Sequence, residues 1–156
     1  MSSRKQIQRR RGMTVIELSI TVLVMGILAA VVAPSYVAAI NRYRVDLAAS
    51  RIVADLRFAQ AESQRIGQTR TVQFDVSNDR YTLVDVADID NSASTYVVEL
   101  VDDPFLASLV SASFGFSANV SFDMFGRPDS SGAVVVQAGG IQKTVDLTAD
   151  GTVSIP

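Results

Sequence analysis

The sequence contains neither cysteine nor histidine. The first absence excludes disulfides and thiolate metal sites. The second removes the commonest general base and the commonest transition-metal ligand, so the many serines cannot be part of a Ser-His-Asp triad. Lysine is nearly missing as well. Beyond Lys5 there is only Lys143, in a stretch that reads as a strand, which leaves a lysine-based dyad no setting. Gly139-Gly140 is followed by neither Lys-Ser/Thr nor a helix and so is no phosphate loop. Nothing here supports catalysis; the chain is expected not to be an enzyme and to need no cofactor.

Positive charge is scarce outside the first twelve residues. Arg4, Lys5, Arg9, Arg10 and Arg11 stand there without any acid, which leaves nine of the 14 basic residues against all 16 acidic ones, a net of −7 for the remainder. A body of that sign repels phosphate backbones, and no nucleic-acid partner is expected. Metal ligands are equally poorly placed. Asp85, Asp88, Asp90 and Asn91 offer oxygens at roughly alternate positions, but the loop-turning Gly and terminal Glu of an EF-hand are missing. The expectation is a solvated loop and no metal.

What the chain does have is a long uncharged run. From Leu18 to Ile40 there are 23 residues rich in Val, Ile, Leu and Ala. About 20 such residues cross a hydrocarbon layer as a helix, whereas the apolar core of a secretory signal peptide is about 7–15 long. The basic block before it is expected to stay in the cytoplasm, with the C-terminal body on the far side. Ahead of the run lies Arg11-Gly12-Met13-Thr14-Val15-Ile16-Glu17-Leu18, which puts a carboxylate one turn into a greasy helix, a costly position that usually signals function.

At this junction the sequence resembles the type IV pilin and type II secretion pseudopilin superfamily. The resemblance implies a short basic leader cut by a prepilin peptidase after Gly12, an N-methylated new terminus at Met13, and an assembly acid at Glu17. It also implies helix-loosening positions at Gly26 and Pro34. Met13 stands where Phe is more usual. Proline lacks the amide hydrogen that would bond Ala30, and glycine weakens a helix by about 1 kcal/mol relative to alanine, so a kink or local loosening is expected there.

The helical pattern runs on past the membrane. Val45, Ala49, Ile52, Leu56, Ala59 and Ser63 recur at steps of four and three as one weakly apolar stripe, with Arg42, Asp46, Arg51, Asp55 and Glu62 read as a solvated opposite face. Gly67 suits a C-cap, giving one helix from about Thr14 to Ile66. Strands are expected at 71–76, with Val72, Phe74 and Val76 on one face, and at 81–86 after a Ser77-Asn78-Asp79 turn. More are expected at 95–101, at 118–125 with Met124 continuing the alternation, and at 133–137, 143–147 and 152–155; residues 105–116 are ambiguous. Strand order is left open.

The C-terminal third carries a narrower resemblance. Phe122-x-x-x-Gly126-x-Pro128, Gly132 with Val134 and Val136, Lys143-x-Val145-x-Leu147 and Gly151-x-Val153 look like the end of H-type minor pseudopilins and FimT-like minor pilins. The expected fold is therefore α+β and pilin-like: a long N-terminal transmembrane α-helix packed against a C-terminal antiparallel β-sheet domain. The divisions are a cleaved leader at 1–12, a membrane or filament-core helix at 13–40, and a periplasmic domain at 41–156. The implied role is a minor pseudopilin of a type II secretion pseudopilus, held in the inner membrane by one pass and partnered by other minor and major pseudopilins or pilins. Two alternatives stand beside it: a FimT-like minor pilin of a type IV pilus, and an anchored binding module that never polymerises. The tail 146–156 contains no Lys or Arg, against the DNA-uptake role of some FimT-like pilins.

Overall fold

The computed structural model describes residues 12–87 and 94–156, apart from the side chains of 31–34. Arg4, Lys5, Arg9, Arg10, Arg11, Asp88, Asp90, Asn91 and the Pro34 side chain lie outside that description. The chain divides into two compact units, Met1–Val37 and Ala38–Pro156. One helix, α1 (Val15–Ile66), contributes to both.

Within the first unit the helix is bare. Its apolar side chains are exposed, from Val15 at 82% to Leu28 at 61%, and it is long and apolar enough to cross a membrane. Gly26 meets nothing there; a Cβ built on it has no atom within 4 Å. The helix runs on through Gly26 and Pro34 without a break.

In the second unit the same helix buries a stripe. Val45, Ala49, Ile52, Leu56, Ala59 and Ser63 are all within 1% of fully buried, as their spacing predicts. Gly67 ends the helix in the left-handed region at φ +70°; its amide and that of Gln68 both bond the Ser63 carbonyl, at 2.9 and 3.2 Å. Those bonds satisfy a carbonyl the helix would otherwise leave open, and glycine takes that conformation without Cβ strain.

Eight strands form two four-stranded antiparallel sheets. The first has the order β3 (Thr95–Glu99), β2 (Arg80–Ala87), β1 (Arg70–Asp75), β5 (Asn119–Phe122). The second has the order β4 (Ser108–Phe114), β6 (Gly132–Ala138), β7 (Ile141–Leu147), β8 (Val153–Ser154). Alternation puts Val72, Phe74, Tyr81, Leu83, Tyr96 and Val98 of the first sheet inward, and Leu109, Phe114, Val134, Val136, Val145 and Leu147 of the second. Phe74 stacks on Phe114 with centroids 5.6 Å apart, joining the two sheets in one core with the helix stripe.

Two strand expectations are corrected. Val76 does not extend the inward face of β1; it opens a 3-10 turn (Val76–Asn78) and is 36% exposed, because the Asp75 carboxylate turns back to accept from the Asn78 amide. Met124 likewise lies outside β5 and is 52% exposed. There the Asp123 carboxylate accepts from the Phe125 and Arg127 amides at 2.9 and 2.8 Å, closing a turn where the alternation suggested more strand. The ambiguous 105–116 stretch supplies β4, which pairs with β6 through a register shift between Leu109 and Ser111.

Candidate functional site

The first candidate site is the entry to α1. Thr14 caps the helix: its hydroxyl oxygen accepts from the Glu17 amide at 3.3 Å and its carbonyl from the Leu18 amide at 3.1 Å. Glu17 therefore occupies the third helical position, where a carboxylate also meets the positive end of the helix dipole. Gly12 and Met13 precede the helix and are exposed. Among the described residues the Glu17 carboxylate has no cationic partner, and its neighbours Ile16, Leu18 and Ile20 are exposed apolar side chains. The site thus combines an accessible backbone junction, a capped helix start and an unneutralised acid on an oily rod.

The second site corrects the sequence reading. Asp55 is not on a solvated face; it is 6% exposed, at the seam between α1 and the first sheet. Its carboxylate accepts from the Tyr81 hydroxyl at 2.5 Å and the Tyr96 hydroxyl at 3.0 Å, and pairs with Arg51 Nε at 3.0 Å. Arg51 also donates to the Tyr96 oxygen and lies 5.8 Å from that ring's centroid. Burial, followed by the Asp55 charge, pushes the Tyr81 hydroxyl well above the ordinary tyrosine range, and Tyr96 moves the same way for the same two reasons. For Arg51, burial works against the charge, but Asp55 and Tyr96 outweigh it and hold the guanidinium above its usual value. Burial and the bonds to Asp55 favour neutral tyrosines and outweigh the opposite pull of Arg51, so the cluster is a fastening.

A signal for this cluster is in the sequence. Asp55 follows Ile52 by three and precedes Ala59 by four, so it falls within the width of the apolar stripe. Tyr81 and Tyr96 fall at inward strand positions, where a buried hydroxyl needs an acceptor. Asp46 is exposed, as its place on the solvated face predicts, and pairs with Lys143 of β7 at 2.5 Å, across the seam to the second sheet. Gln60 donates to the Gly126 carbonyl and Arg57 to that of Val153, at 2.8 and 2.7 Å, fastening the helix to the second half of the body.

Among the described residues no group of three or more acidic side chains could hold a metal ion. Asp85 lies in β2 with a left-handed backbone at φ +59°. Asp102 is the start of an exposed turn whose carbonyl accepts from the Phe105 and Leu106 amides, at 3.0 and 3.1 Å.

An apolar exposed helix start followed by a helix-and-two-sheet body defines the class: a pilin-type subunit. The structure is similar to that of the minor pseudopilin EpsH from the type 2 secretion system of Vibrio cholerae, at 17% identity and a TM-score of 0.55, over 72% of this chain and 96% of that one. It is also similar to the type IV minor pilin FimU of Pseudomonas aeruginosa, at 14% identity and a TM-score of 0.51, over 74% and 90% of the two chains. No curated protein sequence matches the chain. The model of the family described as type II transport protein GspH matches residues 48–151, and the chain belongs to that family.

Proposed function

We propose that this chain is a minor pseudopilin, anchored in the inner membrane by residues 13–40, with its body in the periplasm, until it enters a pseudopilus. A prepilin peptidase cuts between Gly12 and Met13, the new amino terminus at Met13 is methylated, and other minor and major pseudopilins are its partners. One observation carries this reading: Glu17 stands one turn into an exposed apolar helix with no counter-charge among the described residues. An anion left alone in lipid or in a filament core costs several kcal/mol, and the α-amino group released at Met13 of a neighbouring subunit is the cation that removes the cost. The family match favours a secretion filament over a type IV pilus.

The test is mass spectrometry of the protein from its native membrane, together with the variant Glu17→Val. The expected results are a mature chain beginning at N-methylated Met13, and a variant that is processed normally but excluded from filaments. A chain that keeps its arginine-rich leader removes the reading, and normal assembly of Glu17→Val removes the charge pairing.

A further inference from the structure

Two sheets have four edges, and an open edge is a row of unpaired amides and carbonyls that invites another strand. On three of the four, outward groups are already taken. The outer side of β5 is occupied by the following loop, through the Asp129 amide to the Ser121 carbonyl at 2.9 Å and the Phe122–Pro128 bridge. On β4 the outward Leu109 amide donates to the Asp79 carboxylate at 2.7 Å. On β8 the Val153 carbonyl is taken by Arg57. On the fourth, β3 pairs only with β2 among the described residues.

The register identifies which groups are open. Leu100 donates to the carbonyl of Asp79, which lies directly opposite it, and the β2–β3 pairs continue as Tyr81↔Val98 and Leu83↔Tyr96. Antiparallel ladders alternate, so Val98 and Tyr96 spend their amides and carbonyls on β2, while those of Val97 and Glu99 point away from it. Beside this edge is a groove of about 590 Å³, lined by Leu47, Ser50 and Arg51 of α1, by Val97, Val98 and Glu99, and by Pro104 and Phe105. Its two charges are already matched: Arg51 by Asp55 at 3.0 Å, Glu99 by Arg80 at 3.7 Å.

We infer that the β3 edge is a docking site for an extended, uncharged segment of a second polypeptide, which adds a strand beside Val97 and Glu99 and sets alternate apolar side chains in the groove against Leu47 and Phe105. Backbone bonds supply affinity and the groove supplies selectivity, as in other strand additions. A charged segment would find no unneutralised partner in the groove. A helix could not reach the open amides, because its own are spent internally.

The experiment uses the full chain in detergent and a capped heptapeptide of alternating valine and threonine, with a second peptide carrying lysine and glutamate at the valine positions as a control. Amide hydrogen exchange at Val97 and Glu99 is the readout. The expected result is that the valine peptide, at about 1 mM, slows exchange at both amides at least tenfold, whereas the charged peptide does not. In the variant Val97→Pro the tenfold effect at Glu99 is lost while the melting temperature is kept, since proline is tolerated where the amide faces outward. The inference is overturned if both amides are already protected in the free dilute chain, if neither peptide slows their exchange, if both peptides do so equally, or if Val97→Pro binds like the parent. Protection that rises with chain concentration alone would make the occupant a second copy and overturn the assignment to another polypeptide.

Discussion

Asp55 shows how much one buried carboxylate can organise. With Tyr81 at 1% and Tyr96 at 5% exposure, both hydroxyls depend on it for an acceptor. Asp55→Ala is expected to cost about 1–3 kcal/mol in urea unfolding, mainly because two hydroxyls are left unpaired, with Asp55→Asn costing less. The pH dependence follows from the raised tyrosines. A folded-state value above the unfolded one means that the native state keeps its proton longer. The contribution is therefore whole below about pH 10, the unfolded tyrosine value, and is lost as pH climbs through the folded one. Stability should be unchanged by Tyr81 ionisation across neutral pH and fall in alkali, and Tyr81→Phe should flatten that fall by about one proton, about 1.4 kcal/mol per pH unit. Unchanged alkaline slopes in the variant would refute the assignment. The sequence hid this cluster because an i,i+4 Arg-Asp pair is most simply a solvent pair; only the strands that arrive later make Asp55 an interior residue.

At the scale of the element, legibility followed how local the cause was. The helix and its cap were readable because the 3.6-residue period, Thr14 and Gly67 all act within a few positions. Strands were readable wherever inward and outward residues alternate, as in Val72/Phe74 and Val134/Val136. The reading failed where a side chain captured the backbone, at Asp75 and Asp123, since both carboxylates end a strand whose apolar alternation continues through Val76 and Met124. The division into two sheets was not legible, because pairing partners such as β1 and β5 are far apart in sequence. One glycine makes the closeness of the second sheet testable. A Cβ on Gly132 would lie 2.1 Å from the Ser113 carbonyl oxygen and 2.5 Å from the Phe114 ring. Gly132→Ala must push β4 and β6 apart, and a loss of about 1–3 kcal/mol is expected, read from the urea midpoint. A variant as stable as the parent would mean that the strands part freely there.

For the whole molecule, the buried hydrophobic residues among those described lie at or beyond Val45, while the exposed apolar stretch of the helix ends before it. The body therefore holds its own core, and residues 38–156 expressed alone should unfold in a single cooperative transition, with calorimetric and van't Hoff enthalpies in agreement. A non-cooperative melt would show that the stem supplies part of the fold. The N-terminal junction could be proposed from sequence alone, because Gly12, Met13 and Glu17 lie within six positions and the proposed processing and pairing need no folding to bring them together. The β3 edge was the least legible, since an edge exists only once every other strand has found its neighbour.

In the filament assembly proposed above, a pull along the helix axis would load the seam between residues 45–66 and the two sheets in shear. Apolar contacts alone resist such sliding weakly, because one greasy ridge serves nearly as well as the next. A displacement by one helical turn, about 5.4 Å, would present Arg51 or Ala59 to the two tyrosines in place of Asp55, offering them a cation or a methyl group. The carboxylate thus works as a ratchet pawl: slipping one notch removes the acceptor that both tyrosine hydroxyls use.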